Sequence, residues 1–284
     1  MNGIVKHLYN TSNITSWEIV YWRSLGLVVY NVITAQLSGS STLAIPRNLS
    51  WTLLWRILSG IVGMTFLFLQ TKVMSFSKAT AIFFIYPGFA MFFAYLIMNE
   101  RITRYDIISS LISFCGVIVI VFDPNDPKKI NDSEIEAVWA PLVPIIASIF
   151  CSLTDVYTRA LGSDVHPATP PAYFGLGNCL ASPLLIQLNY YLRNAMTNYT
   201  LDIVLCLFLL GLAGFIGQLL LTKAFQLEKA GRIGVISYLQ LVNACLIDIT
   251  LFKIPIRGLQ LFGIFLIIAS GGGLMVLKGF DIIK

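Results

Sequence analysis

Charge is what this 284-residue chain has least of: Asp, Glu, Lys and Arg make up 12% of it, against 57% hydrophobic residues. At a mean hydropathy of +0.79 a water-exposed globule would be insoluble, so lipid is the expected solvent for most of the chain. Histidine is nearly missing. His7 and His166 are the two present, far apart and outside the apolar runs, which leaves HExxH zinc chemistry and a histidine-based triad without a scaffold. The five cysteines, Cys115, Cys151, Cys179, Cys206 and Cys245, sit inside apolar runs without CxxC spacing. Neither a disulfide framework nor a zinc site is indicated, and they read as small buried hydrophobes. Gly271-Gly272-Gly273 follows no strand and precedes no Lys-Ser/Thr, so it is no phosphate loop. Tyr105-Asp106 supplies half of an intramembrane aspartyl protease pair, but Gly162-Ser163-Asp164 lacks the GxGD pattern and lies in a turn. The chain is therefore read as a non-enzyme, with no cofactor and no metal.

The net charge of +5 is modest, and the 19 Lys and Arg fall mostly at the ends of apolar runs, where cations reach lipid headgroups. That pattern favours a bilayer as partner and speaks against nucleic acid. Residues 1–16 are polar and do not read as a secretory signal. Asp281-Ile282-Ile283-Lys284 matches no retrieval signal. The expectation is a multi-pass integral protein of the plasma membrane or an endomembrane, with its oligomeric state open.

What the chain does have is long apolar runs, at 18–37, 52–73, 80–98, 105–122, 138–157, 172–191, 203–225, 233–252 and 259–277. Each approaches the roughly 20 residues that a helix needs to cross a hydrocarbon core about 30 Å thick. Without water every backbone donor and acceptor must be satisfied inside its own segment, which selects helices. The fold class is thus all-α, a polytopic transmembrane helix bundle of nine spans. A polar stretch at 123–137, carrying Pro124, Asn125, Pro127, Lys128 and Lys129, reads as a linker between a first half at 1–122 and a second at 138–278.

A shift of 151 residues aligns Gly63 with Gly214, Leu69 with Leu220, Thr71-Lys72 with Thr222-Lys223, Lys78-Ala79 with Lys229-Ala230, Ile82 with Ile233 and Ile85 with Ile236. Apolar identities arise easily by chance. The matched Thr-Lys and Lys-Ala pairs carry the duplication, a marker of transporter halves.

The first half also carries an ordered set of motifs. A helix bearing Gly60 and Gly63 precedes Phe76-Ser77-Lys78-Ala79, then comes a span with a central proline, Ile85-Tyr86-Pro87-Gly88-Phe89, ending in Met98-Asn99-Glu100-Arg101-Ile102-Thr103. The next span reads Ile112-Ser113-Phe114-Cys115-Gly116-Val117-Ile118. This arrangement resembles the drug/metabolite transporter superfamily, EamA type, and among eukaryotic branches it is similar to solute carrier family 35, group G. The second copy departs from the pattern, with Leu239-Gln240 near the proline position and Lys253 where the glutamate would stand. The resemblance implies two inverted repeats of about five helices. Trp17-Glu18-Ile19-Val20-Tyr21-Trp22-Arg23 resembles the start of the family's second helix, so the first helix is expected to be missing. It further implies that residues 1–16 lie on the outer or lumenal side. The sequons at Asn10, Asn13, Asn131 and Asn198 then fall outside and the one at Asn48 inside.

Polar residues at membrane depth are the candidate solute contacts, since each is costly unless it meets a wet cavity or a partner. Asp155 reads either as a cation or proton site or as a headgroup-level residue. Gln240, Asn243 and Asp248 share a broad arc of one helix, as a cavity lining or an interhelical clasp would. Lys72 and Lys223 are the repeat-related cations, able to flank an anionic or carbonyl-rich solute or to reach the headgroups. Gln70 and Gln218 lie deeper in the same helices. Tyr86, beside a proline that frees a carbonyl and can kink a helix, is carried over from the family as a mobile cavity element, with Tyr238 at the matching place in the second half.

The expected function is secondary-active transport of a small metabolite by alternating access, through a cavity between the halves. Coupling to a proton or counter-substrate rests on Asp155 and Asp248 alone. A non-transporting scaffold or receptor that keeps the same bundle is the alternative.

Overall fold

The computed structural model describes residues 8, 14, 16–38, 44–73, 79, 82–121, 140–193, 200–239 and 258–279. Over these the chain is helical and forms no strand. The helices are α1 (Ser16–Ser38), α2 (Ser50–Val73), α3 (Tyr86–Met98), α4 (Arg104–Val121), α5 (Leu142–Ala160), α6 (Thr169–Arg193), α7 (Leu201–Leu227), α8 (Ala230–Ile236) and α9 (Gly258–Gly279). Short 3-10 turns at Arg47–Leu49 and Gly162–Asp164 lead into α2 and follow α5.

Polarity runs opposite to that of a water-soluble protein. Trp51, Leu180, Leu220 and Phe265 are exposed, while Ser24, Asn31, Arg56, Ser113, Ser152 and Thr169 are buried. Lipid selects this arrangement, because hydrocarbon solvates Leu and Phe whereas polar groups must turn inward. Three stretches among the described residues are long and apolar enough to cross a membrane: Arg47–Leu67, Leu142–Ala160 and Leu201–Leu227. Only 28%, 39% and 33% of them, respectively, is buried within the protein. Most of each apolar surface is left for lipid. Tyr86–Met98 and Leu261–Gly273 are apolar but shorter.

The chain divides into two compact units that interleave in sequence. The first joins Met1–Ile61 to Tyr157–Leu227, and the second joins Val62–Val156 to Glu228–Lys284.

In the first unit α1 packs on α6 and α7, and glycine sets the separation. A Cβ on Gly26 would stand 2.6 Å from the Gly211 Cα, so α1 and α7 touch backbone to backbone. The register follows from that contact. Tyr30 meets Phe208, with ring centroids 5.6 Å apart, on one side of it, and Arg23 lies on Gly214 on the other. Gly175 brings α6 equally near to α1, since a Cβ there would meet Ser24 O and Val28 Cγ2 at 3.0 Å. Asn31 Nδ2 donates to Ala168 O at 2.6 Å. At the end of α7, Arg159 Nη1 donates to Phe225 O and Gln226 O, each at 2.9 Å, satisfying carbonyls that a helix terminus leaves open.

The second unit joins α4 to α9 through small and hydroxylated residues. Ser270 Oγ lies 2.7 Å from both Ser109 Oγ and Ser113 Oγ, and a Cβ on Gly116 would stand 2.8 Å from Gly263 O. Helix α3 ends at Asn99, whose φ of 53° is left-handed. Its N–H reaches Tyr95 O at 3.1 Å and that of Glu100 reaches Ala94 O at 3.3 Å, the paired closure of a Schellman motif.

The proline expectation needs correction. Pro87 does not kink a helix interior; it sits in the first turn of α3, after a turn at Phe84-Ile85. Its fixed φ and missing N–H suit that position, so the 80–98 run is broken where a continuous span was expected.

Replacing Gly26 with Ala is expected to force α1 from α7 and cost about 1–3 kcal/mol, the usual penalty for overpacking. At Gly217 an added Cβ meets nothing within 4 Å, so Gly217→Ala serves as control. Thermal unfolding in detergent checks the pair, and equal midpoints would sink the tight crossing.

Candidate functional site

The second unit brings together two residues selected from sequence. The hydroxyl of Tyr86, in the first turn of α3, donates to Asp155 Oδ2 on α5. Tyr86 is buried and stacks on Phe83, ring centroids 5.8 Å apart. The carboxylate is thereby held inside an apolar helix, where an ionised group persists only with a hydrogen-bonding partner.

Tyr238 belongs to the same unit and explains the helix break. Pro87 has no N–H to give, and Gly88 N donates to Ile85 O at 3.0 Å. Tyr238 OH donates to Phe84 O at 2.9 Å. The ring is 1% exposed, so the second half's tyrosine caps a carbonyl beside the first half's proline turn. Gln70, on α2, is buried, and its Oε1 has no hydrogen-bond partner among the described residues.

Of the remaining sequence candidates, Gln218 is half-buried on α7 in the first unit, where its Oε1 accepts from Arg56 Nη2 at 3.5 Å. Lys223 is exposed on the same helix. Lys72 lies in α2, its side chain outside the described residues, and Gln240, Asn243 and Asp248 lie outside them altogether.

Sequence reasoning missed two constellations. In the second unit Arg232 Nε pairs with Asp106 Oδ1 at 3.2 Å and its Nη1 with Glu228 Oε1 at 3.1 Å, with both Arg232 and Asp106 side chains 6% exposed. Asp106 also closes the start of α4. Its Oδ2 accepts from Thr103 N at 3.0 Å and Thr103 Oγ1 at 2.6 Å, while its own N–H reaches Thr103 Oγ1 at 3.3 Å. The signal was present as Thr103-Arg104-Tyr105-Asp106, a capping box with aspartate in the acidic place. In the first unit Arg23 and Arg56 are buried. Arg56 Nε donates to Thr158 Oγ1 at 3.2 Å, and its guanidinium carbon lies 5.0 Å above the Phe174 ring. A cation in the middle of an apolar run was the readable mark of both.

Residues 4–122 and 138–275 match the EamA-like transporter family. The chain belongs to that family. EamA-like membership and the lipid-facing apolar helices make it an integral membrane protein, and membership supports the non-enzyme reading. A probable transport protein of Saccharomyces cerevisiae, YPL264C, is 30% identical over 218 residues, covering 70% of this chain and 60% of that one. Human solute carrier family 35 member G1 is 27% identical over 233 residues, covering 79% and 63%. This EamA-like chain thus spans about three fifths of the length of these relatives. A crystal structure of another protein superposes with a TM-score of 0.79 at 16% identity, over 93% of this chain and 88% of that one, which shows a shared fold.

Asp106→Ala leaves Arg232 buried with half of its ion-pairing, at an expected cost of about 3 kcal/mol. A double-mutant cycle of Asp106→Ala with Arg232→Ala, read by thermal unfolding, checks it. Strict additivity would mean the two side chains are not coupled.

Proposed function

We propose that this EamA-like chain is a secondary-active carrier of a small solute. It crosses the bilayer nine times, in two inverted repeats of which the first lacks its opening helix. The observation that carries the reading is the Tyr86 to Asp155 hydrogen bond: a carboxylate kept within an apolar helix, at a cost that function must justify. The family match over both halves and the repeat-related Thr71-Lys72 and Thr222-Lys223 pairs support it.

Transport by alternating access needs two states that bind the solute differently, because a ligand with equal affinity for both shifts nothing. Asp155 is assigned the role of ion- or solute-responsive group, since losing or pairing its charge changes whether Tyr86 is held. Tyr238 ties the start of α3 to the second repeat through Phe84 O, so that release of this bond frees α3 to move. Gln70 and Gln218 are assigned to solute hydrogen bonding, and Asp248 to coupling by a proton or counter-substrate.

Uptake of a mixed metabolite pool into proteoliposomes tests the reading. The reconstituted chain is expected to accumulate at least one solute under an imposed gradient. Asp155→Asn is expected to slow uptake tenfold or more, because a charge-assisted hydrogen bond is worth about 1.5–3 kcal/mol and about 1.4 kcal/mol is a factor of ten. A folded, correctly inserted chain that moves nothing across a broad pool would favour the non-transporting scaffold.

A further inference from the structure

The first unit keeps two guanidinium groups in its interior. Arg23 projects from α1 and is 7% exposed. Its Nε and Nη1, and the adjacent Ser24 Oγ, are buried without a hydrogen-bond partner among the described residues. The side chain lies along α7 at Gly214, where a Cβ would stand 3.0 Å from Nε and 3.2 Å from Cγ. Glycine there leaves the room that the guanidinium occupies.

Arg56 reaches the same helix one turn further on. Its Nη2 donates to Gln218 Oε1 at 3.5 Å and its Nε to Thr158 Oγ1 at 3.2 Å, and the residue is 2% exposed. Positions 214 and 218 share one face of α7, about 6 Å apart along the axis at a rise of 1.5 Å per residue. Two cations therefore address one face of one helix. The groups that Arg56 touches, a hydroxyl, an amide and the Phe174 ring, hold a guanidinium in place without neutralising it.

Removing an uncompensated cation from water is costly, and donors left open within protein are costlier still. An oxyanion answers both, because a carboxylate or phosphate supplies charge and acceptors matched to guanidinium N–H groups. A neutral or cationic solute supplies neither. We propose that Arg23 and Arg56 form an oxyanion-recognition site in the first unit, and that the solute carried bears a carboxylate or phosphate group. Arg23 contributes the open donors, Gly214 the clearance, and Thr158 and Gln218 orient Arg56. The substrate part of this assignment rests on the carrier reading above.

The test uses the full chain in two measurements. In maltoside detergent, which carries no phosphate, thermal unfolding is followed against succinate, inorganic phosphate, glycerol, choline and phosphatidylglycerol. In proteoliposomes, uptake of the same four soluble probes is followed. The expected result is saturable stabilisation by succinate or phosphate, and uptake of that anion. Arg23→Gln should raise the half-saturating concentration at least about tenfold, as loss of a charged hydrogen bond does, with partial recovery in Arg23→Lys. If Arg23→Gln does not fold, Arg23→Lys and the wild-type probe series still decide. Uptake of glycerol or choline without any response to the anions overturns the oxyanion assignment and leaves the carrier standing. Anion binding that depends on Arg23 without uptake of any solute keeps the site and removes the carrier. Stabilisation by phosphatidylglycerol alone identifies a lipid headgroup as the ligand and overturns the substrate assignment.

Discussion

Hydrocarbon offers no hydrogen bonds, and the described structure can be followed from that one deficit. Every polar group placed among the helices must find its partner within the protein, so pairs that would be ornamental on a water-exposed surface become conditions of folding here. Ser109, Ser113 and Ser270 satisfy one another where α4 meets α9. Arg159 caps the last carbonyls of α7, and Tyr238 takes up Phe84 O beside the proline turn. Outward-facing Leu, Phe and Trp need no such provision, since lipid solvates them as well as a protein core would.

Because lipid tails are as apolar as leucine, burial of apolar area does little to hold helices together, and close packing takes over. That explains the position of glycine. Gly26 on Gly211 brings α1 and α7 to backbone contact, and the contact sets which residues meet on either side of it. Tyr30 falls beside Phe208 and Arg23 on Gly214 as consequences of that register. Small residues here both allow helices to meet and make room for a long side chain.

The buried ionisable groups divide by how fully the fold compensates them. Asp106, Arg232 and Glu228 form a closed network whose members also cap α4, which suits a structural role. Asp155 is held by a tyrosine at a helix start, an arrangement with a donor that can let go. Arg23 is the least compensated. A membrane protein retains such a group against its cost when something that comes and goes supplies the missing partner.

Much of this was legible in the chain itself. The apolar runs, the scarcity of charge and the matched Thr71-Lys72 and Thr222-Lys223 pairs identified a helical membrane protein of duplicated design, because solvent transfer and helix periodicity act residue by residue along the sequence. Asp155 and Tyr86 were separately visible as polar groups in apolar surroundings, and so was the Thr103-to-Asp106 cap, had it been read as one. What sequence could not supply was pairing. That Tyr86 meets Asp155, that Tyr238 answers Phe84 O, that Pro87 starts a helix and does not bend one, and that Arg23 and Arg56 converge on one face of α7 depend on helix register. Register is decided by backbone approach at Gly26, Gly116, Gly175 and Gly211, between residues distant in sequence, and no local preference encodes it.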